Sequence, residues 1–145
     1  MGGTVAFLGV LIRAWATGYL SKNAQLAITG PYAFTRNPLY LGSFLIGIGF
    51  SLAGGSVVFF VVFLACFAAL YGNAMRQEMK RLSALFPDEY ARYRKNVPVF
   101  FPRLQSAQKG KGHFSFEQYL KNKEYLALAG FLAAMSLLIL RIKFL

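Results

Sequence analysis

Between Arg36 and Arg76 the chain runs for thirty-nine residues without a charged side chain. As one helix that stretch would reach about 58 Å, close to twice the roughly 30 Å of a bilayer's hydrocarbon core, so it must turn back on itself. Gly54-Gly55-Ser56 falls near its middle, and the spacing predicts a tight helical hairpin with arms Leu39 to Ala53 and Val57 to Met75. On the first arm Ser43, Gly47, Ser51 and Gly55 recur every four residues. Such a small-residue stripe is expected to let another helix backbone approach closely.

Two more apolar segments flank the hairpin: residues 3 to 21, interrupted by Arg13, and Tyr125 to Leu140, followed by Arg141 and Lys143. The expected fold is therefore all-α, a multi-pass helical membrane protein with about four transmembrane helices and amphipathic helices on the cytoplasmic side. Composition agrees, because 14% charged residues and 57% apolar ones are far from the roughly 25% charged of a soluble domain. A chain of 145 residues suits one domain, with a core region at 30–103 and a linker and last membrane helix at 104–145. Val5 to Ile12 followed by Ala14-Trp15-Ala16 imitates a signal peptide, but the start lacks the positive charge of one, so a retained first helix is expected. Met1-Gly-Gly is an abrupt beginning, and the count leaves room for a relative's earlier helix.

Charge sets the orientation. Residues 76 to 124 hold eleven of the sixteen lysines and arginines and all five carboxylates, whereas the Gly54 turn holds none. Segments 22–38 and 76–124 are then expected at the cytoplasmic face. The net charge of +11 on so apolar a chain points to lipid headgroups and not to nucleic acid. With one cysteine, Cys66, and one histidine, His113, no disulfide or zinc cluster can be built within the chain, and no metal site is expected.

Within 76 to 102, Met79, Leu82, Phe86, Tyr90, Tyr93 and Val97 recur at spacings of three and four with charges between them. That is the pattern of amphipathic helix. Pro87 with Asp88 and Glu89 behind it marks a fresh helix start, so two short helices meeting near Phe86 are expected. Val97 to Pro102 is expected to be extended, and residues 105 to 113 to form a flexible basic linker.

Three charged side chains near the apolar segments are candidates for chemistry. Arg36 stands just before the hairpin, with Asn37-Pro38 opening the helix behind it; an anchor and a cap account for it as well as a binding role does. Glu78 follows the hairpin beside Arg76, Lys80 and Arg81. It is either an ordinary ion pair within a basic run or a carboxylate at the mouth of the bundle, poised for a cationic ligand group or for Arg36. Arg13 lies nine residues before Lys22 and is expected to snorkel to the cytoplasmic face.

Taken together, Gly30-Pro31-Tyr32, Arg36-Asn37-Pro38-Leu39-Tyr40-Leu41-Gly42, Glu78 with Leu82 and Phe86, and Tyr90, Tyr93 and Val97-Pro98 resemble the isoprenylcysteine carboxyl methyltransferase family of membrane enzymes. The phospholipid methyltransferases are similar in the same places. The resemblance implies S-adenosylmethionine as methyl donor, bound between the loop before the hairpin and the polar helices after it. It implies Arg36 and Glu78 as the residues that carry the chemistry. Pro31, Tyr32, Asn37, Pro38, Tyr40, Gly42, Tyr90, Tyr93 and Pro98 join them around the donor, and a lipid-like or small hydrophobic acceptor would arrive from between membrane helices.

Four positions depart from the family pattern. Asn37 stands where histidine is usual, Met79 replaces the second glutamate of a pair, Pro87 replaces a glycine, and Asn96 replaces the arginine before Val-Pro. The last departure leaves Arg94, Lys95 or Arg13 to orient an acidic acceptor, so the resemblance speaks more for the donor than for the acceptor. A carboxylate acceptor needs no general base, whereas an amine must first lose a proton, and no histidine stands near the motif to take it. Two other readings remain: an NADPH-dependent membrane reductase on a similar scaffold, and a non-catalytic basic membrane protein binding anionic lipid.

Overall fold

The chain reverses at Gly55. This residue takes a left-handed conformation, φ 63°, and its N–H closes the end of α2 (Pro38–Gly54) on the Leu52 carbonyl. Glycine adopts that conformation without the strain a Cβ would bring. The Ser56 hydroxyl then accepts the Phe59 N–H at 3.2 Å and opens α3 (Val57–Leu85), as a serine cap does. The hairpin expected from the uncharged stretch is present.

The computed structural model describes residues 1–21, 24–106 and 112–144. It is all-helical, with no strand among the described residues. Besides the hairpin it contains α1 (Gly2–Thr17), a 3-10 turn (Gly30–Ala33), α4 (Pro87–Asn96), α5 (Phe116–Lys121) and α6 (Tyr125–Phe144). Of the linker expected at 105–113, residues 107–111 lie outside the described residues, as does Lys22.

One boundary differs from expectation. α3 does not stop at Met75 but continues for 29 residues to Leu85, about 43 Å along its axis. The stretch from Arg76 holds no glycine or proline and is rich in strong helix formers, so it is the charged extension of the same helix and not a separate one. The break falls at Phe86, whose ψ of 64° reflects the bias that Pro87 imposes on its predecessor. From Pro87 a new helix starts as expected. Its first turn carries Asp88 and Glu89 and its last Arg94 and Lys95, each sign set against the opposite end of the helix dipole.

α1 and α2 pack backbone to backbone through glycines spaced seven apart, two turns of helix. A Cβ on Gly9 would meet the Gly42 carbonyl oxygen at 2.5 Å and Ile46 Cγ1 at 2.8 Å, and a Cβ on Gly49 would meet the backbone of Ala6 and Gly2. The stripe expected at four-residue spacing is therefore offset. Gly47 faces the Phe63 ring of α3, Gly55 forms the turn and Ser43 meets Arg13, which leaves only Ser51 fully buried. Real helices advance by 3.6 residues per turn, so a four-residue stripe drifts around the surface while a seven-residue pair stays on one face.

The four helices expected to be transmembrane all occur as apolar helices. α3 and α6 are long and apolar enough to cross a membrane, whereas α1 and α2 are shorter, at 16 and 17 residues. Little of the apolar surface of α3 and α6 is covered by the rest of the chain. Phe131 of α6 reaches Phe7 and Phe50 at 5.9 Å between ring centres, and Val57, Val58, Leu137 and Ile142 face outward.

Candidate active site

The loop before the hairpin is held by the segment after α4. The Arg36 N–H donates to the Pro98 carbonyl at 2.9 Å, and the Arg103 N–H to the Phe34 carbonyl at 3.0 Å. The Thr35 hydroxyl donates to the Phe100 carbonyl and the Asn37 side-chain amide to the Val99 carbonyl, both at 2.8 Å. Thr35 and Asn37 are buried, and a buried polar group is tolerated when it is bonded. Residues 97–103 can offer these carbonyls because the prolines at 98 and 102 keep them out of helix. Phe100 anchors the segment by packing on Phe44 of α2 at 5.5 Å and Phe67 of α3 at 6.0 Å.

A cavity of about 230 Å³ lies at this charged end of the bundle. One wall is the loop and the start of α2, with Tyr32, Arg36, Asn37, Pro38, Leu39 and Tyr40. The charged extension of α3 supplies Glu78, Arg81 and Leu82; Phe86 and Tyr93 come from the α4 side, and Arg13 and Leu20 from the α1 side. Arg36 and Glu78 are thus on one cavity, but they are not paired. Glu78 accepts from Arg81 Nη2 at 2.6 Å and Nε at 3.1 Å. Arg36 Nη1 donates to the Tyr90 hydroxyl at 3.2 Å and approaches the Met79 sulfur at 3.8 Å. Its Nε is buried without a hydrogen-bond partner among the described residues.

The other expected positions divide into walls and supports. Tyr32, Asn37, Pro38, Tyr40 and Tyr93 line the cavity; Pro31, Gly42, Tyr90 and Pro98 do not. Tyr90 joins Tyr93 and Val97 in a buried cluster under Arg36, and Pro98 holds the Arg36 backbone. Pro31 is buried at the start of the 3-10 turn. Gly42 faces α1, where an added Cβ would meet Arg13 Cγ at 2.5 Å. Tyr93 donates its hydroxyl to the Tyr32 carbonyl at 2.6 Å. Burial, first, and then the nearby Tyr32 phenol push the Tyr93 hydroxyl above the usual phenol range. Burial followed by the Glu78 carboxylate does the same at Tyr32, so both phenols are neutral hydrogen-bonding groups.

Arg13 does not follow the snorkelling expectation. Its Nε donates to Glu124 at 2.5 Å and its Nη2 to the other oxygen of the same carboxylate at 3.1 Å, while Nη1 reaches Ser43 Oγ at 2.6 Å and the Leu39 carbonyl at 3.4 Å. Of the three cations considered as substitutes for an arginine at position 96, Arg94 and Lys95 are exposed and only Arg13 lines the cavity. The signal for it was present as Arg13, alone inside one apolar segment, and Glu124, a carboxylate at the edge of another.

Long apolar helices left largely uncovered by the chain define a helical membrane protein, and a cavity that carries Arg13, Arg36, Glu78 and Arg81 lies at the charged end of its α2–α3 hairpin. The chain belongs to the phospholipid methyltransferase family, whose model matches residues 4–89. A nickel-cobalt-cadmium resistance protein of Alcaligenes xylosoxydans is 36% identical over 107 residues, covering 70% of this chain and 50% of the relative. The cobalt-zinc-cadmium resistance protein of Cupriavidus metallidurans is likewise 36% identical, covering 70% and 49%. The protein-S-isoprenylcysteine O-methyltransferase of Schizosaccharomyces pombe is 30% identical over 84 residues, covering 58% of this chain and 36% of that enzyme. The chain spans about half the length of the first two relatives. No solved structure matches it.

Proposed function

We propose that this protein transfers a methyl group from S-adenosylmethionine to a membrane-embedded or lipid-like acceptor, as a four-helix integral membrane enzyme whose site faces the cytoplasm. One observation carries the proposal: Arg36, just before α2, and Glu78, on the charged extension of α3, line one cavity, and the Arg36 guanidinium keeps a buried Nε without a partner among the described residues. A buried, unpaired guanidinium nitrogen is costly unless an anion completes it. The donor carries a carboxylate, a cationic ammonium and a sulfonium, and the residues present fit all three. Arg36 matches a carboxylate by its forked donors, Glu78 offers a countercharge to a cation, and Tyr32, Tyr40, Phe86 and Tyr93 present aromatic surface, which attracts cations.

When bound, S-adenosylmethionine supplies an activated methyl group on a positively charged sulfur, open to in-line displacement. The chain's own contribution is to hold. Arg36 is braced by Tyr90, Asn37 ties the loop to Val99, and Tyr93 ties it to α4. Holding two partners in line supplies much of the acceleration such a reaction needs. No histidine lines the cavity, which favours an acid or thiolate acceptor over an amine that must first lose a proton. The names of the two metal-resistance relatives extend the reading: a contribution to metal tolerance would run through methylation of a membrane component.

The test is calorimetric titration of the purified protein with S-adenosylhomocysteine and, separately, with NADPH. Saturable binding of the first, weakened at least about tenfold by Arg36→Ala and by Glu78→Gln in folded protein, is expected. Binding of NADPH alone would replace this reading with that of a reductase. Binding of neither, with anionic vesicles bound in a salt-sensitive way, would make the chain a lipid-binding protein.

A further inference from the structure

Glu124 is 6% exposed, and a buried carboxylate is costly unless paired and bonded. The start of α6 is otherwise fastened by neutral contacts to the end of α1: Asn122 donates to the Thr17 and Leu20 carbonyls at 3.1 and 3.0 Å. The ion pair does something these contacts cannot. It draws Arg13 sideways, so that one guanidinium bonds α1's neighbour α2 at Leu39 and Ser43 and the head of α6 at Glu124. The stem crosses α2 directly over Gly42, where no Cβ stands in its way.

The same guanidinium lines the cavity. Arg36 precedes α2, whereas Ser43 lies about 7 Å inside it, so Arg13 stands at the apolar end of the cavity and Arg36 with Glu78 at the charged end. Arg13 bonds through four of its donors, and a guanidinium carries five. One N–H on Nη2 is left without a partner among the described residues, on a guanidinium that lines the cavity.

We infer that Arg13 is a positioning residue for the acceptor, locked by Glu124, and that it orients an oxygen-bearing polar group of that acceptor at the apolar end of the cavity. This rests on the methyl-transfer reading. Removing the lock frees the guanidinium to swing away, so acceptor use suffers while the donor's end of the cavity is left intact.

The experiment compares the parent protein in lipid nanodiscs with Arg13→Ala, Arg13→Lys, Glu124→Gln and the exchange Arg13→Glu/Glu124→Arg. Labelled S-adenosylmethionine is offered with a prenylated cysteine, phosphatidylethanolamine or a small apolar acid, and binding of S-adenosylhomocysteine is measured in parallel. In Arg13→Ala and Glu124→Gln, acceptor KM should rise at least about tenfold while S-adenosylhomocysteine affinity stays within about threefold; Arg13→Lys should recover part of the loss. Should the single variants fail to fold, the exchange variant carries the test: it restores the ion pair but moves the cation to α6, and acceptor KM should remain high. Full recovery by the exchange, unchanged acceptor KM, or equal loss of donor and acceptor binding would each overturn the inference. A parent that neither binds S-adenosylhomocysteine nor methylates any acceptor would overturn the methyl-transfer reading itself, and this inference with it.

Discussion

Tyr93 of α4 reaches across to the loop before the hairpin and donates its hydroxyl to the Tyr32 carbonyl at 2.6 Å. This one bond joins segments sixty-one positions apart in sequence and ties together two residues of the cavity wall. Tyr93→Phe keeps the ring but leaves the carbonyl without this donor, at a cost of about 1–2 kcal/mol. Thermal unfolding should show a lower midpoint and weaker binding of S-adenosylhomocysteine.

Alkaline pH should expose the same bond. Both Tyr93 and Tyr32 are raised above the ordinary phenol pKa, so the fold holds their protons while the unfolded chain releases them near pH 10. Above that pH the unfolded state binds fewer protons than the native state, and stability falls as pH rises. Between pH 7 and 9 the unfolding midpoint should be insensitive to these groups. From about pH 10 it should drop, and less steeply in Tyr93→Phe than in the parent; parallel curves would remove Tyr93 from the account.

Arg36→Lys is expected to behave much like Arg36→Ala. Lysine keeps the charge, but it lacks the planar fork that Arg36 needs to bond Tyr90 while offering Nε to an anion. At least about a tenfold loss of S-adenosylhomocysteine affinity should follow in calorimetry, with helix content by circular dichroism unchanged. Parent-like affinity would show that charge alone is enough.

Asn37→Ala removes a buried amide that holds the loop to Val99. The expected destabilisation is about 1 kcal/mol, accompanied by faster amide exchange in residues 34–37 and a weaker donor analogue. Asn37, which departs from the family pattern, would thereby support the loop through its bond to Val99.

Two glycines give opposite expectations. Gly42→Ala sets a Cβ against the Arg13 stem and the Gly9 carbonyl, and such overpacking costs about 1–3 kcal/mol. Gly72 of α3 has nothing within 4 Å of the same added atom, so Gly72→Ala should be neutral or stabilise by up to about 1 kcal/mol through helix propensity. Unfolding midpoints of the two variants, measured in one detergent, decide whether the α1–α2 crossing is as tight as described.

Much of the architecture was legible in the chain because its causes are local. An uncharged run too long for one crossing, Gly54-Gly55-Ser56 within it and Pro87 after Phe86 specify where helices turn and start, since each acts through φ, ψ and capping within a few residues. The end of the third helix was misjudged because the switch from apolar to charged residues at Arg76 marks a change of surroundings, not a change of backbone.

Partnership was a different matter. The ion pair of Glu78 with Arg81, three residues on in the same helix, was one of the two readings the basic run allowed, yet nothing local told that Arg36 would rest on Tyr90 or that Arg13 would find Glu124 across 111 positions. A side chain's nearest opposite charge depends on how helices dock, and docking here is governed by Gly2, Gly9, Gly42 and Gly49 together with the backbone carbonyls of 97–100. Local sequence determined which helices exist and where the chain turns; tertiary packing decided which charges meet between helices, as Arg13 meets Glu124, because such pairing needs a proximity of a few ångströms that only the assembled bundle provides.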